Sequence, residues 1–385
     1  MSRGVARGDA RALTRALVEI DSRNPSLVAG APGERPCAAF LHGVLDAWGF
    51  RTEMHDAAPG RPNLIARLGD ARGGRTLMFN GHLDVVGIEG MVHAPFGAVE
   101  RDGRLYGRGS ADMKGGIGAM CAAAYRAASE GLAGEIVIAA VADEEYESLG
   151  TRALIEQGVR ADACVVTEPT RLAIMPAHRG FVWLEVEITG RAAHGSRWDI
   201  GVDAIRHAGL LLAELDRIDA EELPRRTHPL LGRGSLHASL IEGGSGMSTY
   251  PDRCVLKLER RSIPGEGAAD VIKEVERACD AVQARRPTFA AQVRLLVAQG
   301  PSDVSVDSML VQGLESALRA SGERVSVEGM SAWTDAALFN EAGIPAVCFG
   351  PGDISLAHAA EEYIPLDEID RATDVLCALA RSWCG

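Results

Sequence analysis

An α/β fold with a mixed, mainly parallel sheet flanked by helices, carrying an inserted α+β two-layer domain, is predicted by three features of the sequence. Short, nearly continuous apolar runs such as Thr76-Leu-Met-Phe-Asn and Glu135-Ile-Val-Ile-Ala-Ala-Val alternate with helical segments, the pattern of a sheet buried on both faces. After Pro176 the style changes to strands of period two, as in Phe181-Val-Trp-Leu-Glu-Val-Glu-Ile-Thr, which bury one face only. From about Gln299 the first style resumes. Residues 1–178 and 296–385 are therefore expected to form one domain, and 179–295 a second one inserted into it.

Taken in order, Leu13, Leu17 and Val18 give a first helix, Asn24-Pro25 breaks it, and a second helix runs from about Gly33 through Leu41, Val44 and Leu45. Asn63-Leu-Ile-Ala-Arg-Leu and Thr76–Asn80 read as strands, Gly115–Ala128 as an alanine-rich helix and Glu135–Val141 as a buried strand. A helix over Gly150–Gly158 and a strand Ala163-Cys-Val-Val-Thr follow. In the insert the order is strand 181–189, helix 202–215, strands near 235–241 and 254–260, helix 268–285 and a strand near 293–297. That is the split βαβ plan of a ferredoxin-like domain. The strand Ala346-Val-Cys-Phe-Gly and a helix from Leu366 to Trp383 close the chain.

At 385 residues the chain exceeds the size at which a single core usually stops growing, and 46% hydrophobic residues suffice for two. A net charge of −13 argues against nucleic-acid or anionic-membrane partners. The opening Met-Ser-Arg-Gly-Val-Ala-Arg-Gly lacks the apolar stretch of a signal peptide, and no later run reaches membrane-spanning length, so a cytoplasmic location is expected. The eight cysteines contain no Cys-x-x-Cys pair and most sit among apolar residues, as buried thiols do.

Chemistry concentrates where strands end. The run Met78-Phe-Asn-Gly-His82-Leu-Asp84 delivers a histidine and a carboxylate two residues apart, hence on one face, into the region where open α/β sheets bind ligands. The pattern suits a metal ligand, His82, whose ring tautomer is fixed by Asp84, but also a turn histidine capped by an aspartate. Asp112 in Gly109-Ser-Ala-Asp-Met-Lys-Gly-Gly, the run Asp143-Glu144-Glu145, Glu168 after Val165-Val-Thr, and His358 in Leu356-Ala-His-Ala-Ala-Glu-Glu-Tyr lie at comparable positions. Singly, the acidic run suits a solvated loop or helix start, Glu168 before Pro169 a turn, and His358 a helix cap. Together, two histidines and three carboxylates suit a pair of divalent ions, zinc first, with cobalt or manganese as alternatives. One carboxylate must then bridge. Asp112, set among glycines, is the best placed, and one glutamate of Glu144-Glu145 remains as a general base.

Eight motifs in order resemble the acetylornithine deacetylase, succinyl-diaminopimelate desuccinylase and carboxypeptidase G family of dinuclear zinc hydrolases. They are Gly-His-Leu-Asp-Val-Val, Gly-Arg-Gly-Ser-Ala-Asp-Met-Lys-Gly-Gly, Ala-Asp-Glu-Glu, Thr-Glu-Pro-Thr, Gly-Arg-Ala-Ala-His-Gly-Ser, Arg-Arg-Ser-Ile-Pro-Gly-Glu, Trp-Thr-Asp-Ala and Phe-Gly-Pro-Gly-Asp. The resemblance implies a zinc-peptidase-like catalytic domain with an inserted dimerisation and lid domain, and a homodimer acting on a small N-acyl amino acid. It implies one metal held by His82, Asp112 and Glu168 and another by Asp112, Glu145 and His358. Glu144 would be the base and then the acid, and Asp84 would orient His82. A cis peptide is implied at Asp112-Met113. By the same resemblance His194 of one subunit would stabilise the oxyanion in its partner's site. Arg261, Ser248 and Gly350 would contact substrate, with the Arg261 fork on a carboxylate. Ser248 departs from the asparagine that many relatives carry three residues before the proline, here Pro251. Glu168 stands where the aminopeptidase branch generally has aspartate, which favours deacylases and carboxypeptidases. The implied activity is an acetylornithine deacetylase-like removal of an acyl group. The alternatives are a carboxypeptidase or dipeptidase and, remotely, a non-catalytic metal-binding dimeric scaffold.

Overall fold

The computed structural model describes residues 4–385, which divide into two compact units: residues 4–176, 304–328 and 334–385, and residues 177–303 with 329–333. The insert thus runs past residue 295, because the strand Ala290–Gln299 belongs wholly to the second unit's sheet.

In the first unit the sheet order is 51–58, 61–69, 135–141, 76–82, 163–166, 346–348 and 174–178. The four strands Glu135–Val141, Thr76–His82, Ala163–Val166 and Ala346–Cys348 are parallel neighbours, and the sheet continues on either side in antiparallel pairings. Every residue of Thr76–His82 and Glu135–Val141 is buried, as continuous apolar runs require. Alternate side chains (Leu77, Phe79, Ile136, Ile138, Ala140) join one large core with the helices Ala10–Val18, Arg35–Trp48, Gly115–Ala128, Met309–Ala320 and Leu366–Cys384. Seven small residues between Gly115 and Ala124 let the helix Gly115–Ala128 sit close. At Gly116 a Cβ would stand 2.0 Å from the Thr167 carbonyl oxygen.

The strand order carries a functional consequence. Thr76–His82 lies between Glu135–Val141 on one side and Ala163–Val166 on the other, so the connection that leaves it runs to one side of the sheet and the next one crosses back to the other. Such a switch point opens a crevice at the carboxyl ends of the strands. His82 pairs with Val141, and Asn80 with Val166, which aligns the three ends.

The second unit is an antiparallel four-stranded sheet in the order Ser235–Gly243, Arg253–Ser262, Gly180–Thr189, Ala290–Gln299, with helices Ala204–Arg217 and Ala268–Arg285. Val182, Leu184, Val186 and Ile188 point into a core with Ala208, Leu211, Val271 and Val275, while the residues between them face outward. This is the ferredoxin-like plan read from the period-two pattern. All eight cysteines are free and buried. Among the described residues no helix is long and apolar enough to cross a membrane.

Several short or edge strands escape the sequence pattern. Arg51–Ala58, mostly exposed and polar, pairs antiparallel with Arg61–Gly69, and Val99–Arg101, Arg104–Tyr106 and Tyr363–Pro365 form a small separate sheet. The second helix begins at Arg35, with Pro36 in its first turn, and ends at Trp48 before Gly49 at φ 95°.

Candidate metal centre

The aligned strand ends bring the predicted residues of the first unit together. His82 closes its strand. The Asp143-Glu144-Glu145 turn follows Glu135–Val141, with Asp143 at φ 68°, and Glu168 follows Ala163–Val166. Asp112 sits in the irregular turn Ser110–Lys114 ahead of the helix Gly115–Ala128, at φ −118° and ψ 93°, and its peptide bond to Met113 is cis. His358, at φ 60°, arrives on the loop after Ile354–Leu356.

Two groups of possible ligands result, His82, Asp112 and Glu168 in one, Asp112, Glu145 and His358 in the other, each with its ligand atoms within 4.8 Å of one another. Asp112 divides its carboxylate between them. Its Oδ1 lies 3.0 Å from His82 Nε2 and its Oδ2 3.5 Å from His358 Nε2. Glu145 Oε2 lies 2.9 Å from His358 Nε2, and Glu168 Oε1 3.9 Å from His82 Nε2. Glu144 Oε2 stands 4.0 Å from the same His82 nitrogen and joins neither group. Imidazole nitrogens facing carboxylate oxygens, with one carboxylate presenting an oxygen to each side, fit two borderline divalent cations.

The electrostatics agree. Burial works against the ionised form of Asp112, yet hydrogen bonds to His358 and His82 hold it well below the usual carboxylate range. Burial alone would lower His82, but the hydrogen bond to Asp112 and the charges of Asp112, Glu144 and Glu168 push it well above 6.5. Hydrogen bonds to Asp112 and Glu145 raise His358 to about 10. Burial, then the charge of Asp112, raises Glu145 to about 7 and Glu168 well above its usual value. Burial also raises Glu144 strongly, against the pull of His82. So many carboxyl groups forced together repel one another, and a proton or a bound cation would relieve that repulsion.

The role read for Asp84 needs correction. His82 Nδ1 lies 2.9 Å from the Asp84 backbone carbonyl and 3.7 Å from its carboxylate. The carbonyl therefore takes the Nδ1 proton and leaves the Nε2 lone pair toward Asp112 and Glu168. The Asp84 carboxylate instead accepts the amides of Glu144 and Glu145, both at 3.2 Å, and the side-chain amide of Asn24 at 2.8 Å. Gly350, read as a substrate contact, has its amide and carbonyl engaged by Thr170 and Leu172. It is buried, and a Cβ there would meet the carbonyl oxygens of Thr167 at 2.5 Å and Glu168 at 2.6 Å. Its lack of a side chain lets this loop back the Glu168 segment.

Residues that sequence reasoning did not single out frame the centre. Arg61 donates to Glu34, Asp143, Asn24 and Ser26. Arg108 donates to Glu362 at 2.6 Å, and Glu362 accepts the amides of Ala111 and Asp112 at 3.0 and 3.2 Å. Asp335, from Trp-Thr-Asp-Ala, accepts from Thr151 at 2.6 Å. Burial raises it to about 6, against the hydroxyls of Thr151 and Ser148.

The second unit holds the remaining candidates. His194 is exposed, with Nδ1 2.8 Å from Ser196 Oγ, and Gly195 donates its amide to the carbonyl of the exposed Ser248 at 2.7 Å, so these two share a surface loop pair. Arg261, on the strand Arg253–Ser262, donates to Glu259 at 2.6 Å and lies over the Phe181 ring at 5.3 Å.

Comparison with known proteins gives the same outline. The family model described as peptidase family M20/M25/M40 matches residues 78–382. An acetylornithine deacetylase from Myxococcus xanthus is 32% identical over 360 residues, covering 91% of this chain and 92% of its own. The N-formyl-4-amino-5-aminomethyl-2-methylpyrimidine deformylase of Bacillus subtilis is 27% identical over 385 residues, covering 90% and 88%. Among solved structures, the aminopeptidase PepT of Bacillus cereus superposes with a TM-score of 0.81 at 21% identity, over 99% of this chain and 100% of its own.

Proposed function

From the premise that the chain belongs to peptidase family M20/M25/M40 and is a hydrolase, we propose that it removes the acyl group from N-acyl amino acids, as an acetylornithine deacetylase does. The observation that carries the reading is Asp112, whose two oxygens face two separate histidine–carboxylate groups while Glu144 stands beside them unused. Two sequence relatives named for removing acyl or formyl groups from nitrogen support an acyl cap on the substrate.

In this reading His82, Asp112 and Glu168 hold one divalent ion, and Asp112, Glu145 and His358 the other, zinc being the ion of choice for this mixed nitrogen and oxygen set. Two such ions supply Lewis acidity toward the scissile carbonyl and acidify water. Glu144, which joins neither ligand group and stands 4.0 Å from His82 Nε2, is the carboxyl placed to carry the proton. It takes one from water and returns it to the leaving amine. Asp84 keeps the His82 tautomer through its carbonyl and the Glu144 turn through its carboxylate. The Arg261 guanidinium, held by Glu259 and lying over the Phe181 ring, is offered to the substrate carboxylate. The inserted domain would pair two subunits, and the partner's His194 would donate to the developing oxyanion. A working place in the cytoplasm is in keeping with eight free thiols.

The test is product analysis by mass spectrometry after incubating zinc- or cobalt-reconstituted protein with pooled N-acyl amino acids and short peptides. Free acyl acids are expected. Release of C-terminal residues or cleavage of dipeptides instead would replace the deacylase reading with a peptidase one. Bound metal without any product would sink both.

A further inference from the structure

We propose that Asn24 is a positioning residue for the Asp143-Glu144-Glu145 turn, acting through Asp84 and Asp143 and locked by Arg61. The inference rests on the reading of Glu144 as base given above.

The carboxylates of Asp84 and Asp143 are both fully buried and converge on one side-chain amide. Asn24 Nδ2 donates to Asp84 Oδ2 at 2.8 Å and to Asp143 Oδ1 at 3.0 Å. Two buried anions facing one point repel, and a neutral NH2 group with two protons satisfies one oxygen of each without adding charge. Asn24 Oδ1 in turn accepts from Arg61 Nη2 at 3.1 Å and from the Ser26 amide at 2.9 Å. Both hydrogens and the oxygen of the amide are therefore used, which fixes its orientation. Its backbone is fixed too, because the Asn24 amide donates to the Val85 carbonyl at 2.9 Å, beside the segment that leaves His82.

Arg61 completes the arrangement. It binds Glu34 at 2.5 and 2.6 Å and Asp143 Oδ1 at 2.8 Å, so one guanidinium stands between two buried carboxylates. What this assembly holds is the direction of the Asp84 carboxylate, whose two oxygens receive the amides of Glu144 and Glu145. Those successive amides decide where the base and its ligand neighbour point. Asn24 touches neither, and its effect on turnover is transmitted through the turn.

The test compares Asn24→Ala with the isosteric Asn24→Asp, each alone and combined with Glu144→Gln, in zinc-reconstituted protein. Readouts are kcat and KM on the substrate found for the wild type, metal content by elemental analysis, and urea midpoints. Asn24→Ala is expected to lower kcat roughly 10–100-fold, as loss of an outer support typically does, with KM changed less than about threefold. Asn24→Asp, although the same size, is expected to lower it further, because it places a third carboxylate between two others. Neither loss should reappear in the Glu144→Gln background. Normal kcat in both single variants, a larger loss for alanine than for aspartate, or equal losses with and without Glu144 would each overturn the proposal. Should Asn24→Ala fail to fold, Arg61→Lys keeps the charge but cannot span Glu34, Asp143 and Asn24 together. Lowered kcat at unchanged KM is expected of it, and normal kcat would refute the lock. A near-normal rate for Glu144→Gln alone would instead remove the base itself, which separates that failure from this one.

Discussion

Glu362→Gln tests whether the Asp112 turn depends on a buried ion pair. Arg108 and Glu362 are 3% and 1% exposed and 2.6 Å apart. Glu362 Oε2 takes the guanidinium while Oε1 takes the amides of Ala111 and Asp112. Glutamine keeps the shape but has one acceptor oxygen. If that oxygen serves the two amides, its NH2 faces the guanidinium, and if it is turned round, the NH2 faces two N–H groups. Donors confront donors either way, and in the first orientation Arg108 retains only the Gly87 carbonyl, at 2.9 Å. Breaking one partner of such a pair costs about 3–5 kcal/mol, whereas replacing both by neutral groups costs far less. Urea unfolding of the metal-loaded protein should therefore show a loss of that size for Glu362→Gln, largely recovered in Arg108→Met/Glu362→Gln. A loss below about 1 kcal/mol, or additive losses in the double variant, would refute the reasoning.

Other outcomes follow from the same contacts. Glu144→Gln should retain two metals by elemental analysis while kcat falls about 10²–10⁴-fold, the usual contribution of a general base, and a rate near wild type would exclude Glu144 from proton transfer. Asp335, buried and raised from 3.8 to about 6, binds its proton more tightly folded than unfolded, so stability falls as pH rises through that interval and stays lower above it. In chelator-treated protein Asp335→Asn should therefore raise stability by up to ~3 kcal/mol above pH 6, with the gain gone below about pH 4 in urea titrations run at each pH. Gly350→Ala, whose Cβ would press on the Thr167 and Glu168 carbonyls, should cost about 1–3 kcal/mol by urea midpoint, and an unchanged midpoint would mean that the loop yields freely.

His82 and Asp84 were legible because an apolar strand that ends in polar residues has little use for them except as a site, and the motifs named the other candidate ligands. What Asp84 touches was not legible. Its side chain and its carbonyl are both within reach of His82, and only the path of the backbone selects the carbonyl. Asn24, Arg61, Arg108 and Glu362 escaped for another reason. Their side-chain partners across the site lie 27 to 254 positions away in sequence, and a lone arginine or asparagine reads as surface until the fold encloses it. Arg51–Ala58 was hidden because an exposed edge strand needs no apolar alternation. The second unit was easier, since its one-sided sheet writes its period directly into Val182, Leu184, Val186 and Ile188.

The two ligand groups that share Asp112 are unequal in their access to water. His82, Asp112 and Glu168 are all buried, whereas His358 is 54% exposed on a loop. An ion in the inner group would be enclosed by protein, while one in the outer group would meet water beside His358. The two occupancies should then separate by lifetime. Dialysis would strip the outer ion early and leave a singly loaded enzyme, and resting activity would follow the free metal concentration of the surroundings through that one exposed imidazole.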